Sequence, residues 1–475
     1  MDMRRLSAAS PMYKTGLPDF SRSSRTPFAY QLCSAFALCS DSRLQLLELK
    51  AEIMDILIRS ALVQDGQPPL DIGIKEGVIY KLAPRIDDPA LQVLDAAGRA
   101  TITGLIEPHI HLDKALLESR LANRSGTLEE AIRVTGILKR KQEYKDVLDR
   151  SRQVLDMAVR NGTVAMRCHP DVDTIQGLIG VETLVHLRKE YAQLIDLQIV
   201  AFPQEGILKS PGTLQLMTEA IEMGADLVGG CPYSELSWED SKAHIDTVFR
   251  LAQKFGRDID LHADFADSTA DQRFAAAAYI AQKTIDTGYH GRVTLGHLTS
   301  LGALQADEAG PVIDLLGKAK INVVTLPATD VYLSGAKEPV HPRRGLTPIR
   351  ALREAGVNVA YSSNNIRNAF TPFGTADPLQ IGWLLAHVAQ FGSPDDRNYV
   401  LEMCTHAAAR VLGITDRYGV AIGKQADLVI LDTHKVGDAL LDLPVRRWVI
   451  KRGRVTVEAR QTCTIYRTAQ KEAAL

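Results

Sequence analysis

Eight short β-branched runs between Thr101 and Asn365, the first seven each followed by a helix-compatible stretch of roughly 20 to 50 residues, predict an α/β fold, a (β/α)8 TIM-type barrel. Two strand-like alternating segments, 54–100 and 418–466, flank that region and predict a small discontinuous β-sandwich built from both. Nearly every run ends on a polar or turn-forming residue, as strands do at the catalytic rim of such a barrel.

In order, the runs are "TITGLIEPHIH", "TVAMRCHPD", "LQIVAFPQ", "DLVGGCP", "DIDLHAD", "RVTLGH", "INVVTLP" and "NVAYSSNN". They close on His111, Asp171, Gln204, Pro232, Asp264, His297, Pro327 and Asn365, which a barrel gathers at one mouth. The stretches between them carry amphipathic helix patterns, and "SKAHIDTVFRLAQKFG" ends on a glycine, as a helix C-terminus should. Residues 101–417 are therefore assigned to the barrel. The flanks, "ILIRSALV" with "LDIGIKEGVIYKLA" and "YGVAIGKQADLVILD" with "RRWVIKRGRVTVEA", are each too short to bury a core alone, so they are expected to pair with each other. Residues 1–53 mix Ser, Arg and Pro without period and read as a disordered or misannotated extension preceding Met54; residues 467–475 read as a tail.

Composition narrows the function. The 475 residues carry 55 Lys+Arg against 57 Asp+Glu, a net charge of −2 that supplies no bulk attraction for nucleic acid or an anionic membrane. No apolar run approaches the ~20 residues that a spanning helix needs. Six cysteines are scattered without CxxC spacing, which suits a reducing compartment and predicts a cytoplasmic protein.

The chemistry-bearing pattern is "EPHIHLDK". His109 and His111 stand two apart, so on a strand both imidazoles share one face and reach one metal ion. His262 stands near the end of the fifth run and His297 ends the sixth, which puts four of the twelve histidines at one predicted rim, with His169 a fifth near the second strand end.

"GLIEPHIHLDK", "MRCHPDVD", "IVAFPQEGIL", "GADLVGG", "IDLHADFAD", "GRVTLGHLTS", "RRGLTPIRALREAGVNVAYSSNN", "FTPFGTADPLQ" and "YGVAIGKQADLVIL" resemble, in the same order and with similar spacing, the motifs of cytosine deaminases and N-isopropylammelide isopropylaminohydrolases in the amidohydrolase superfamily. The resemblance runs from about residue 54 to about residue 466. It implies that His109, His111 and His262 hold one divalent metal ion, zinc or iron, with manganese a further option. It implies that His297 orients the attacking water, that Gln204 reads the edge of a heterocycle, and that His169 and Asp171 shape the pocket. By the same analogy the protein is a homo-oligomer.

Two positions depart from that pattern. Phe265 stands where the resemblance places a proton-shuttling glutamate, and Asn364 where it places a metal-binding aspartate. A phenyl ring transfers no proton, and an amide oxygen ligates a metal weakly but is no base. Three neutral histidines would leave more positive charge on the ion and acidify its water further. Proton delivery then falls to His297 and Asp264, with Asp267 and Asp113 as further titratable groups. Asn364 is read as the fourth metal ligand, and Gln204, Phe265, His169 and Asn365 as substrate contacts. His341, Arg343 and Arg344 offer positive charge near the seventh-to-eighth strand connection for a carbonyl or carboxylate.

The expected function is metal-dependent hydrolysis of a non-peptide C–N bond in a small, cyclic nitrogenous compound. The candidates are a deaminase, an aminohydrolase or a cyclic amidase, each using metal-activated water. The alternative, motivated by Phe265 and Asn364, is a catalytically silent relative that binds a ligand or a partner through the same pocket.

Overall fold

The computed structural model describes residues 53–466, so the readings made of the extension before Ile53 and of the tail 467–475 lie outside the described residues. Its strands, in chain order, are β1 (Met54–Ala61), β2 (Leu70–Lys75), β3 (Val78–Ala83), β4 (Ala90–Asp95) and β5 (Thr101–Thr103). The next eight are β6 (Leu105–Ile110), β7 (Thr163–Cys168), β8 (Asp196–Ala201), β9 (Leu227–Gly230), β10 (Asp258–Ala263), β11 (Val293–His297), β12 (Asn322–Thr325) and β13 (Asn358–Tyr361). The last are β14 (Leu428–Leu431), β15 (Arg446–Lys451) and β16 (Arg454–Glu458).

Alternating residues give each flanking segment one apolar face, and the two faces cover each other. The sheets have the orders β3-β2-β1-β4 and β16-β15-β14-β5. Ile56, Ile58, Ile72 and Ile74 of the first pack in one core with Leu428, Ile430, Trp448 and Ile450 of the second.

The run "TITGLIEPHIH" differs from its expected form, a single barrel strand. Thr101–Thr103 pairs antiparallel with β14 in the sandwich, and the barrel strand begins only at Leu105. Gly104 allows the handover, because a Cβ there would lie 2.3 Å from a methyl of Val164. The close approach of β7 leaves room for no side chain at this position.

Strands β6 to β13 pair in parallel in sequence order, and each corresponds to one of the eight runs. The barrel closes between β13 and β6 through a bridge from Ile110 to Asn364 rather than a full ladder. The Asn364 amide donates to the His109 carbonyl (3.1 Å) and the His111 amide to the Asn364 carbonyl (2.9 Å). Below that bridge, the buried Glu107 carboxylate accepts from both the Ser362 and Ser363 hydroxyls and from the Ser363 amide. Burial pushes its carboxyl up, and these three donors oppose that shift. The helix Trp238–Phe255 starts at Ser237, whose hydroxyl accepts from the Asp240 amide, and stops at Gly256 with φ 65°, as "QKFG" predicts. Among the described residues no helix is long and apolar enough to cross a membrane.

Candidate metal centre and pocket

Asp264 (φ 55°), His297 (φ 78°) and Asn364 (φ 60°), at or just beyond the C-terminal strand ends, have left-handed backbones. Such conformations are costly for side-chain-bearing residues and cluster where a site dictates side-chain direction.

His109 and His111 leave β6 on one face, as their spacing predicts, and meet His262 of β10. The His262 Nε2 lies 3.0 Å from Nε2 of His109 and 3.0 Å from Nε2 of His111. The tautomer of His111 follows from its other nitrogen: Nδ1 is 2.8 Å from the His169 carbonyl, which only accepts, so Nδ1 carries the proton and Nε2 a lone pair. Burial first, then the neighbouring imidazoles or Lys114, hold all three rings well below the usual histidine range, which keeps them neutral. Three buried neutral imidazoles with converging nitrogens make a group able to hold a divalent ion. The Asn364 side-chain oxygen is buried and without a hydrogen-bond partner among the described residues, a free acceptor in the wall that His111 and His262 also line.

The pocket above these nitrogens is bounded by His297, Phe265, Gln204, Lys114, Asn364 and Asn365, with Leu128, Ile132 and Tyr233 at its neck. His297 Nδ1 lies 2.6 Å from Asp330 Oδ1, and Asp330 Oδ2 accepts from the Leu326 amide. Burial pushes the Asp330 carboxyl up, while its bond to His297 acts against this. Phe265 stacks on the His297 ring with centroids 4.0 Å apart and planes 11° from parallel. Gln204 turns its amide oxygen to Lys114 Nζ (3.1 Å), which also donates to Asp171 (2.7 Å).

Several expected residues lie elsewhere. Asp264 was expected to carry protons, but its two oxygens accept from the Ala276 (2.7 Å) and Ala277 (3.1 Å) amides. It caps the start of the helix Ala277–Asp286 and does not border the pocket. Burial raises its pKa to about 6. Replacing Asp264 with alanine is expected to lower stability by about 1–2 kcal/mol in a chemical-denaturation measurement while leaving metal content unchanged. His169, expected at the substrate, lies behind the cluster with its ring stacked on His109 at 3.9 Å, so that face is closed to a ligand. Asp171 is engaged by Lys114 and Lys139, and Asp113 accepts from the Asp171 amide; neither forms the pocket wall. Asp267 accepts from the Gly335 amide at the rim. His341, Arg343 and Arg344 sit on an exposed stretch outside the pocket, with Arg344 bonded to the Ser334 carbonyl.

Two residues that sequence reasoning missed are Lys114 and Asp330. Lys114 stands within "EPHIHLDK", where the histidines drew the reading. Asp330 lies three residues past Pro327, and nothing local to "PATD" points to His297.

The pocket itself encloses only about 10 Å³, and an adjoining cavity of about 460 Å³ shares Leu128, Ile132, Gln204, Tyr233 and Phe265 with it. Tyr233 and Phe274 stack there at 5.2 Å.

A model of the Amidohydrolase family matches residues 92–457. The chain is 29% identical over 413 residues to N-isopropylammelide isopropyl amidohydrolase of Pseudomonas sp. (strain ADP), covering 85% of this chain and 97% of that protein. It is 30% identical over 395 residues to the pterin deaminase of Rhizobium rhizogenes, covering 82% and 88% of the two chains. Among solved structures, 5-methylcytosine deaminase from Klebsiella pneumoniae liganded with 5-fluorocytosine matches with a TM-score of 0.82 at 31% identity, covering 86% of this chain and 99% of that one. The closed eight-stranded barrel, the buried histidine cluster at its strand ends and these likenesses agree: the chain belongs to the amidohydrolase family.

Proposed function

We propose that the protein hydrolyses a C–N bond of a planar, nitrogen-rich heterocycle, releasing ammonia or an alkylamine. The observation that carries this reading is the convergence of three neutral imidazole nitrogens within 3.0 Å contacts beneath a pocket edged by the Gln204 and Asn365 amides. The relatives support the substrate class, since their names specify ammelide, pterin and methylcytosine compounds.

His109, His111 and His262 would hold the ion, with Asn364 as a neutral fourth ligand; zinc or iron suits this donor set, and manganese is the further option. When bound, the ion supplies the Lewis acidity that makes water a nucleophile near neutral pH. Gln204 and Lys114 orient the ring, the amide by donating through its nitrogen and the ammonium by donating to a carbonyl oxygen. The water oxygen bonds to the ring carbon, one water proton passes to the ring and, as the C–N bond breaks, the other is carried to the leaving nitrogen. Phe265 cannot carry that proton, so the role falls to His297, whose ring is fixed by the Asp330 carboxylate and the Phe265 face. The adjoining cavity, which Gln204, Tyr233 and Phe265 also line, is large enough for the ring and a substituent. Cys168, Cys231, Cys404 and Cys463 are all free, which supports a cytoplasmic location.

Elemental analysis of the purified protein, with an assay of amine release from pyrimidines, pterins and aminotriazines, tests the reading. About one equivalent of metal per chain and turnover of one of these classes are expected. A protein that stays empty under metal supplementation, yet gains metal as the Asn364→Asp variant, would favour the silent, ligand-binding alternative.

A further inference from the structure

Behind the converging Nε2 atoms lies a second set of buried polar atoms that no hydrogen bond satisfies. His109 Nδ1, His169 Nε2 and Asp260 Oδ1 are enclosed and have no hydrogen-bond partner among the described residues. They are nevertheless close. Asp260 Oδ1 lies 3.8 Å from His109 Nδ1 and 3.0 Å from His169 Nε2, the latter without the alignment of a hydrogen bond. A buried carboxylate oxygen left without a donor is costly, so such an atom calls for an explanation.

The other Asp260 oxygen is held in place. Arg167 Nη1 donates to it at 2.8 Å, and the same guanidinium is anchored by the Val411 carbonyl (2.6 Å) and the Gln198 amide oxygen (3.0 Å). This arrangement speaks against a second divalent ion at His109, His169 and Asp260, because Arg167 already neutralises the carboxylate and would repel another cation. It suits a different role. With His109 Nε2 turned to the three-imidazole cluster, the ring proton of neutral His109 belongs on Nδ1, the nitrogen facing Asp260. Metal-ligating histidines characteristically pass that N–H to a carboxylate, which fixes the tautomer and makes the ligand nitrogen more basic. The need is greater here, since the donors at the ion, three imidazoles and the Asn364 amide, are all neutral.

We propose that Asp260 is the positioning residue of the metal centre. It accepts the His109 Nδ1 proton when the site is loaded, held by Arg167, while His169 stacks on the His109 ring and keeps it in plane. The proposal rests on the metal site described above.

Asp260→Asn in the full chain tests it, with zinc affinity read by competition against a chelator, stoichiometry by elemental analysis, and ligand field by cobalt substitution. Zinc binding weaker by roughly 10–100-fold, an unchanged stoichiometry and shifted cobalt d–d bands are expected. Because the neutral amide of that variant would leave Arg167 without its counter-charge, the double variant Arg167→Gln/Asp260→Asn serves as the second arm, and the same loss of affinity is expected there. Wild-type zinc affinity in either folded variant would overturn the proposal. Two equivalents in the wild type falling to one in Asp260→Asn would overturn it in favour of a second ion site. A wild-type protein that binds no zinc, iron or manganese would instead overturn the metal reading itself.

Discussion

The His262→Ala variant is expected to purify without its metal ion and to lose activity by a factor on the order of a thousand or more. His262 Nε2 is the nitrogen common to both 3.0 Å contacts, so its removal leaves His109 and His111 with no third imidazole. Lewis-acid stabilisation contributes several kcal/mol to such a reaction, and each 1.36 kcal/mol is about tenfold in rate. The ring also packs on Phe202, with centroids 4.1 Å apart, so a modest stability loss from the vacated volume should accompany the effect. Elemental analysis separates the two consequences: a folded variant with full metal content and full activity would refute the assignment of the centre.

His297→Ala should keep the ion and still lose roughly 10²–10⁴-fold in kcat, the range of a positioned proton carrier. Asp330→Asn is expected to lose activity too, by a different route. The aspartate only accepts at His297 Nδ1, which compels the proton onto that nitrogen and leaves Nε2 as the atom free to act. An asparagine can present its NH₂ group instead and release the tautomer. Replacing one partner of a buried pair costs stability as well, so thermal unfolding has to accompany the kinetics. The informative readout is kcat alongside metal content: a large loss of kcat in His297→Ala, with metal retained, would identify the imidazole as the proton carrier. Unchanged kcat in both variants would assign proton transfer to another group, of which Lys114 is one candidate in the pocket wall.

Much of this architecture was legible in the sequence because its signals are local. The eight runs are short, β-branched and separated by helix-length stretches, and a period of two places His109 and His111 on one face without reference to the rest of the chain. Strand ends in a barrel gather at one rim, so His262 and His297 could be added from their place in the run order alone. The flanking alternation likewise identified two half-sheets lacking a core.

The remainder depended on contacts between residues far apart in the chain. Glu107 and Ser362, separated by 255 positions, close the barrel, and neither has a local signature of that role. Thr101–Thr103 continues the apolar pattern of β6, and only the approach of Val164 to Gly104 and the pairing with β14 send it to the sandwich. Asp264 and Asp330 show the limit most clearly. Both are buried carboxylates near strand ends, yet one turns both oxygens to helix amides and the other turns one to His297. The sequence by itself determined the barrel, the histidines that gather at its rim and the family resemblance, because strand periodicity and run order are properties of neighbouring residues. Only the tertiary structure decided which buried polar groups face the pocket, because a carboxylate's role is set by the donors that reach it across the fold.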